Sequence, residues 1–218
     1  MDDSRALRSS SAVQLARVLA WLFTIGAAVQ CLLELVDSRT EIVMPVSEFW
    51  PRLPRGTEID GVEAEVVGGG FSQAEVVLEG LSGKAQALNA LGILLFGAVS
   101  VVLGLLAVAL CTRLLRGPRQ DTSLVRNLRI GAGFVLIAGF VAQYFQIVAG
   151  HLASAQALDY EGASWSSGRG GDFRDLNDIL GLPMSDTASM TIDIWPLFLA
   201  LGLLVVAASL QPPAPDEA

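Results

Sequence analysis

Four polar side chains stand within long apolar runs at spacings that could do chemistry: Gln30 and Glu34, four residues apart, and Gln143 and Gln146, three apart. On a helix each pair shares one face. A carboxyl group inside a membrane is by default a candidate for ligand or proton handling, and three amides at similar depth could hydrogen-bond the Glu34 carboxyl. Each such interhelical bond is worth about 0.6 kcal/mol. The alternative is structural: Glu34 lies one turn from the end of its helix and reaches the headgroup zone.

The remaining polar groups point to less. His151, the single histidine, ends an apolar run and is read as an interfacial polar tip, since zinc needs several nitrogen or sulfur donors. Asp193, just ahead of Pro196, is read as the N-cap of the next helix. Asp172, Asp175 and Asp178 lack the alternating ligand spacing of a calcium loop. The sequence contains no glycine-rich phosphate loop, zinc-ligand cluster or nucleophile elbow. No catalytic residue, metal or cofactor is therefore expected, and the chain reads as non-enzymatic.

The elements that must position these groups are four apolar runs, at residues 18–36, 88–111, 130–152 and 194–210. Crossing the ~30 Å hydrocarbon core takes about 20 helical residues. The first run is too long for the ~7 to 15 residue core of a signal peptide, so it is read as a retained span. The expected fold is all-α transmembrane, a four-helix membrane bundle with a small extracytoplasmic β-containing cap. Small residues recur in the second and third runs, Ser100 and Gly104 forming a small-xxx-small pair of the kind that lets helices approach closely.

Orientation follows from the segment 112–129. It holds Arg113, Arg116, Arg119, Arg126 and Arg129 against the single acid Asp121, and short Arg-rich loops stay cytoplasmic. Gly117 and Pro118 break the arriving helix, while Asp121, Thr122 and Ser123 offer capping oxygens for a new helix beginning near Leu124. These arginines also meet the anionic inner leaflet, which attracts each by about 1 kcal/mol. Residues 1–17 and 211–218 then lie in the cytoplasm, and 37–87 and 153–193 lie outside.

The stretch from Gly117 to Gly131, GPRQDTSLVRNLRIG, resembles the hairpin of the bacterial four-span membrane protein family catalogued as domain of unknown function 2975. The resemblance implies four spans and carries no established catalytic or binding residue.

Composition agrees with a membrane protein, 52% of residues being hydrophobic and gathered into runs. The net charge of −8 hides a segregation, because most of the 22 acids fall in the two external segments. An acidic exterior argues against nucleic-acid binding. Arginine used almost to the exclusion of lysine, with abundant Ala, Gly and Val, is the composition of a bacterial genome rich in G and C. Cys31 and Cys111 fall toward opposite membrane faces, so no disulfide is expected.

In the first external segment, Val62, Ala64 and Val66 alternate with acids, Gly68 to Gly70 permit a turn, and Ala74 to Glu79 supplies a second strand, together a β-hairpin. In the second, Phe173, Leu176 and Leu180 before Gly181 read as a short amphipathic helix. The expected company is the lipid bilayer with a protein partner or a homo-oligomer, in an accessory, sensory or regulatory role. The alternative is a small transporter or channel component using the outer polar cluster.

Overall fold

The computed structural model describes residues 3–36, 40–49, 69–116, 122–159, 183–186 and 191–211. In chain order the elements are α1 (Asp3–Val36), β1 (Thr40–Phe49), β2 (Phe71–Leu78), α2 (Gly83–Arg116), α3 (Thr122–Leu158) and α4 (Trp195–Ser209). Helices α1, α2 and α3 are long and apolar enough to cross a membrane. Only a helix bonds every main-chain group within one segment, which is what an apolar solvent demands of an unclosed chain. Helix α4 is more apolar than these three but has 15 residues, short of the ~20 that a span takes. The expected amphipathic helix at 173–180, the strand at 62–66 and the loop residues 117–121 lie outside the described residues.

The chain divides into two compact units. The first comprises Met1–Asp37, Ala90–Tyr144 and Ile192–Ala218. Its helices are joined by contacts whose order reverses along the partner, so neighbours run antiparallel. Thr24 of α1 sits against Gly104 of α2, and Cys31 against Gly97. A Cβ at Gly97 would come within 2.6 Å of the Cys31 Sγ, so both glycines are notches that admit an α1 side chain. Gly131 of α3 likewise receives Leu106, and Gly139 receives Pro196 of α4. Two apolar layers result, one of Val99, Val135 and Ala138 with Leu95, Leu103, Trp195 and Leu203. The other joins Leu124, Leu128 and Ala207 to Leu106, Leu110, Val206 and Leu210.

The second unit comprises Ser38–Asn89 and Phe145–Thr191. Its strands pair antiparallel, Thr40 with Leu78 through Pro45 with Gln73, before the register shifts between Pro45 and Phe49. Proline cannot donate to a ladder and favours such irregularities. Just beyond Pro45 the strand bonds elsewhere, Val46 bridging Ser185 and the Ser47 N–H donating to the Met184 carbonyl at 2.9 Å, before pairing with β2 resumes at Phe49 and Phe71. Among the described residues the second strand stands where expected and pairs with β1, while the strand expected at 62–66 lies outside them. Gly80, at φ +79°, makes the turn from β2 toward α2 in a conformation that side chains other than glycine's rarely adopt.

Ile42, Met44 and Val46 of β1 point alternately into a core with Leu81, Ala85, Ala149, Ala153 and Leu158. Burying each large side chain contributes about 1.5 to 3 kcal/mol. The α3 face beneath is small, and a Cβ at Gly150 would lie 2.5 Å from the Val43 carbonyl oxygen. Fully buried Ser154 donates to the Pro45 carbonyl at 2.6 Å. Gly150→Ala should therefore destabilise by about 1 to 3 kcal/mol, since backbone has to move to admit one methyl. Gly133→Ala, with nothing within 4 Å of the added atom, should stabilise by up to about 1 kcal/mol through helix propensity. Thermal melts in detergent that rank the two the other way would mean β1 does not seat on this face.

Candidate functional site

Helix α1 carries Gln30 and Glu34 near its C-terminal end, and the Gln30 Nε2 donates to the Glu34 Oε1 at 3.0 Å. Both residues are exposed, on a helix that is 6% buried across its apolar window. The pair therefore has the one-face placement that its spacing implies, directed away from the protein. Gln146 is half-buried in the second unit. Among the described residues no hydrogen bond joins Glu34 to Gln143.

The Gln143 side chain is engaged elsewhere. Its Nε2 donates to the Asp193 carbonyl at 3.1 Å, and its Oε1 accepts from the Asp193 N–H at 2.8 Å. The amide of α3 thus stands in for a peptide group, closing both main-chain bonds of the non-helical residue that precedes α4. This corrects the reading of Asp193 as an N-cap: the cap is Ile194, with no side-chain cap bond. Without a capping oxygen the entry to α4 depends on Pro196 near its start and on the Phe96 and Trp195 rings, edge to face at 5.5 Å.

A second glutamine of α3, which the sequence alone does not single out, also holds a residue ahead of a helix, through one main-chain group and one hydroxyl. The Gln156 Nε2 donates to the Ser82 Oγ at 2.6 Å, and its Oε1 accepts from the Ser82 N–H at 3.0 Å. Ser82 in turn caps α2, its Oγ accepting from the Ala85 N–H at 3.4 Å. The signal available in the sequence was the serine ahead of Gly83, three residues before Ala85, which marks a helix start five residues earlier than the apolar run does. His151 is half-buried, with Nδ1 3.1 Å from the Asp186 carbonyl. A carbonyl only accepts, so Nδ1 carries the proton, while Nε2 is buried with no partner among the described residues.

At the other end of the first unit, Arg113 and Arg116 occupy the last turn of α2, and Arg126 and Arg129 lie early in α3. Arg116, Arg126 and Arg129 are exposed and Arg113 is half-buried, while Arg119 lies outside the described residues. Both cysteines are free. Among the described residues no group of three or more His, Cys, Asp or Glu is placed to hold a metal ion.

No family model, curated protein or solved structure matches this chain.

Gln143→Leu should leave two main-chain groups of Asp193 unpaired, at about 1 to 3 kcal/mol for each that water does not reach. Gln143→Glu should fall between it and the parent, because a carboxylate still accepts from the N–H but cannot donate to the carbonyl. Equal melting temperatures in detergent for all three would show that the clasp contributes nothing. Glu34→Gln, at an exposed site, should stay within about 0.5 kcal/mol of the parent, and a larger loss would show that the carboxylate has a partner beyond Gln30.

Proposed function

We propose that this chain is a multi-pass protein of the bacterial cell membrane, with both N- and C-termini cytoplasmic, and that it acts without catalysis through a protein partner. Three apolar helices of sufficient length support the membrane setting. A fourth crossing is supported by α4 together with the residues before it. Fifteen helical residues reach about 22 Å, and the non-helical residues 192–194 lengthen the segment at its start. Non-helical backbone at that depth needs internal partners, and Gln143 supplies them at Asp193. The segregation of arginines from acids supports the orientation, and membership in the family that Gly117 to Gly131 resembles belongs to the same proposal.

The observation that carries the partner reading is the outward face of the β1–β2 sheet. Val43 is 51% exposed and Val77 57%, and the register sets Glu75 opposite Val43 and Glu41 opposite Val77. This checkered face of valines and carboxylates suits a segment that offers apolar and cationic side chains together. A second copy of the same face would bring acid against acid, which favours a different protein. A transporter would need its polar cluster available to solute, and the commitment of Gln143 to main chain favours the accessory reading.

In a Cys31→Ser, Cys111→Ser background, Ser82→Cys should react with an impermeant maleimide in intact cells while Gln120→Cys should not. The opposite labelling would invert the topology. A photo-crosslinker at Val77 should give a discrete adduct with another protein, absent from a crosslinker at lipid-exposed Leu22. No adduct, or an adduct with a second copy, would remove the support for a distinct partner.

A further inference from the structure

We propose that Arg113 holds the phosphate group of one membrane phospholipid, with Arg116, Arg126 and Arg129 selecting for an anionic headgroup. The inference rests on the membrane setting above. A guanidinium stays charged at physiological pH and has five donors but no acceptor. In Arg113 one terminal nitrogen, Nη1, is buried with no hydrogen-bond partner among the described residues, while the residue as a whole is half-buried. A charged donor closed off from bulk water calls for a counter-charge, and among the described residues no ion pair reaches any of these four arginines.

The placement of the other three follows from packing. Leu110 of α2 shares an apolar cluster with Leu124 and Leu128 of α3. Arg113 lies one turn beyond Leu110, and Arg126 lies between the two leucines of α3. The four cations are therefore gathered at one end of the α2–α3 pair. A phosphodiester presents two equatorial oxygens, which a guanidinium can meet with two parallel N–H donors.

What favours a lipid over free phosphate is the apolar surface interleaved with the charges. Leu114 is 59% exposed and Ile130 is 63% exposed, each adjacent in sequence to this arginine group. Acyl chains would cover such side chains, whereas inorganic phosphate gains nothing from them. The loop acid Asp121 is the competing counter-charge and is included in the test.

The experiment is native mass spectrometry of full-length protein in mild detergent, with phosphatidylglycerol and phosphatidylcholine of identical acyl chains added in turn. The parent should retain one phospholipid and prefer phosphatidylglycerol. Arg113→Gln should weaken retention of both lipids by about tenfold, the scale of losing a charge-assisted bidentate contact. The triple variant Arg116→Gln, Arg126→Gln, Arg129→Gln should keep the lipid but lose the preference. Arg113→Lys, which keeps the charge without the fork, serves if Arg113→Gln does not fold, and should fall between the two. Parental retention in Arg113→Gln would overturn the proposal, as would displacement of lipid by inorganic phosphate. So would thermal melts in which Asp121→Asn, Arg113→Gln and the double variant all lose the same stability, since the guanidinium would then be paired within the chain. Failure of the membrane setting is read separately, as release of the parent protein from membranes by alkaline carbonate.

Discussion

Every N–H and C=O shut away from water must find a partner, and in this protein that requirement decides where chain can stop being helical. Within α1, α2 and α3 the helix itself meets it. At the entry to α4, where the chain is not helical at Asp193, a side chain takes over: Gln143 both donates to and accepts from the Asp193 main chain. Gln156 accepts from the Ser82 main-chain N–H and donates to its hydroxyl, and Ser154 serves the Pro45 carbonyl inside a core. All three are residues of α3, so this helix supplies the polar partners for irregular backbone in each of the two units. A glutamine suits the task because its amide has the donor and acceptor of a peptide at the end of a flexible stem.

Close packing is arranged by what is missing from the helices. In hydrocarbon there is little hydrophobic drive for one apolar helix to leave lipid for another, so association depends on dispersion contacts at short range. Gly97, Gly104, Gly131 and Gly139 each receive a side chain from a neighbouring helix, and Gly150 receives a strand carbonyl. The small residues thus have two different employments. In the first unit they bring helix to helix, and in the second they let β1 lie directly on α3.

Charge then separates the surfaces by task. Arginines collect where α2 ends and α3 begins, and a half-buried guanidinium among them presents a cation with no protein counter-charge among the described residues. Acids stand on the outward face of the two-stranded sheet, alternating with exposed valines. Surfaces of opposite sign suit ligands of opposite kind, a phosphate-bearing lipid for one and a cationic, partly apolar segment for the other.

The sequence by itself determined the helices, because uninterrupted apolar runs of about 20 residues leave the backbone no other solution in lipid. It placed a strand at Ala74 to Glu79, where β2 stands, and it grouped the arginines between α2 and α3. It also singled out Gln143 and paired Gln30 with Glu34, since residues four apart on a helix must share a face. Only the tertiary structure decided what those groups touch. Glycine notches, the seat of β1 on α3 and the attachment of Gln143 to Asp193 join residues far apart in the chain, and no local spacing encodes such pairs. β1 escaped notice for a related reason: Pro45 argued against a strand, and the outward Val43 hid the alternation of Ile42, Met44 and Val46. An apolar residue on the outer face masks the alternation until the fold shows which face is covered.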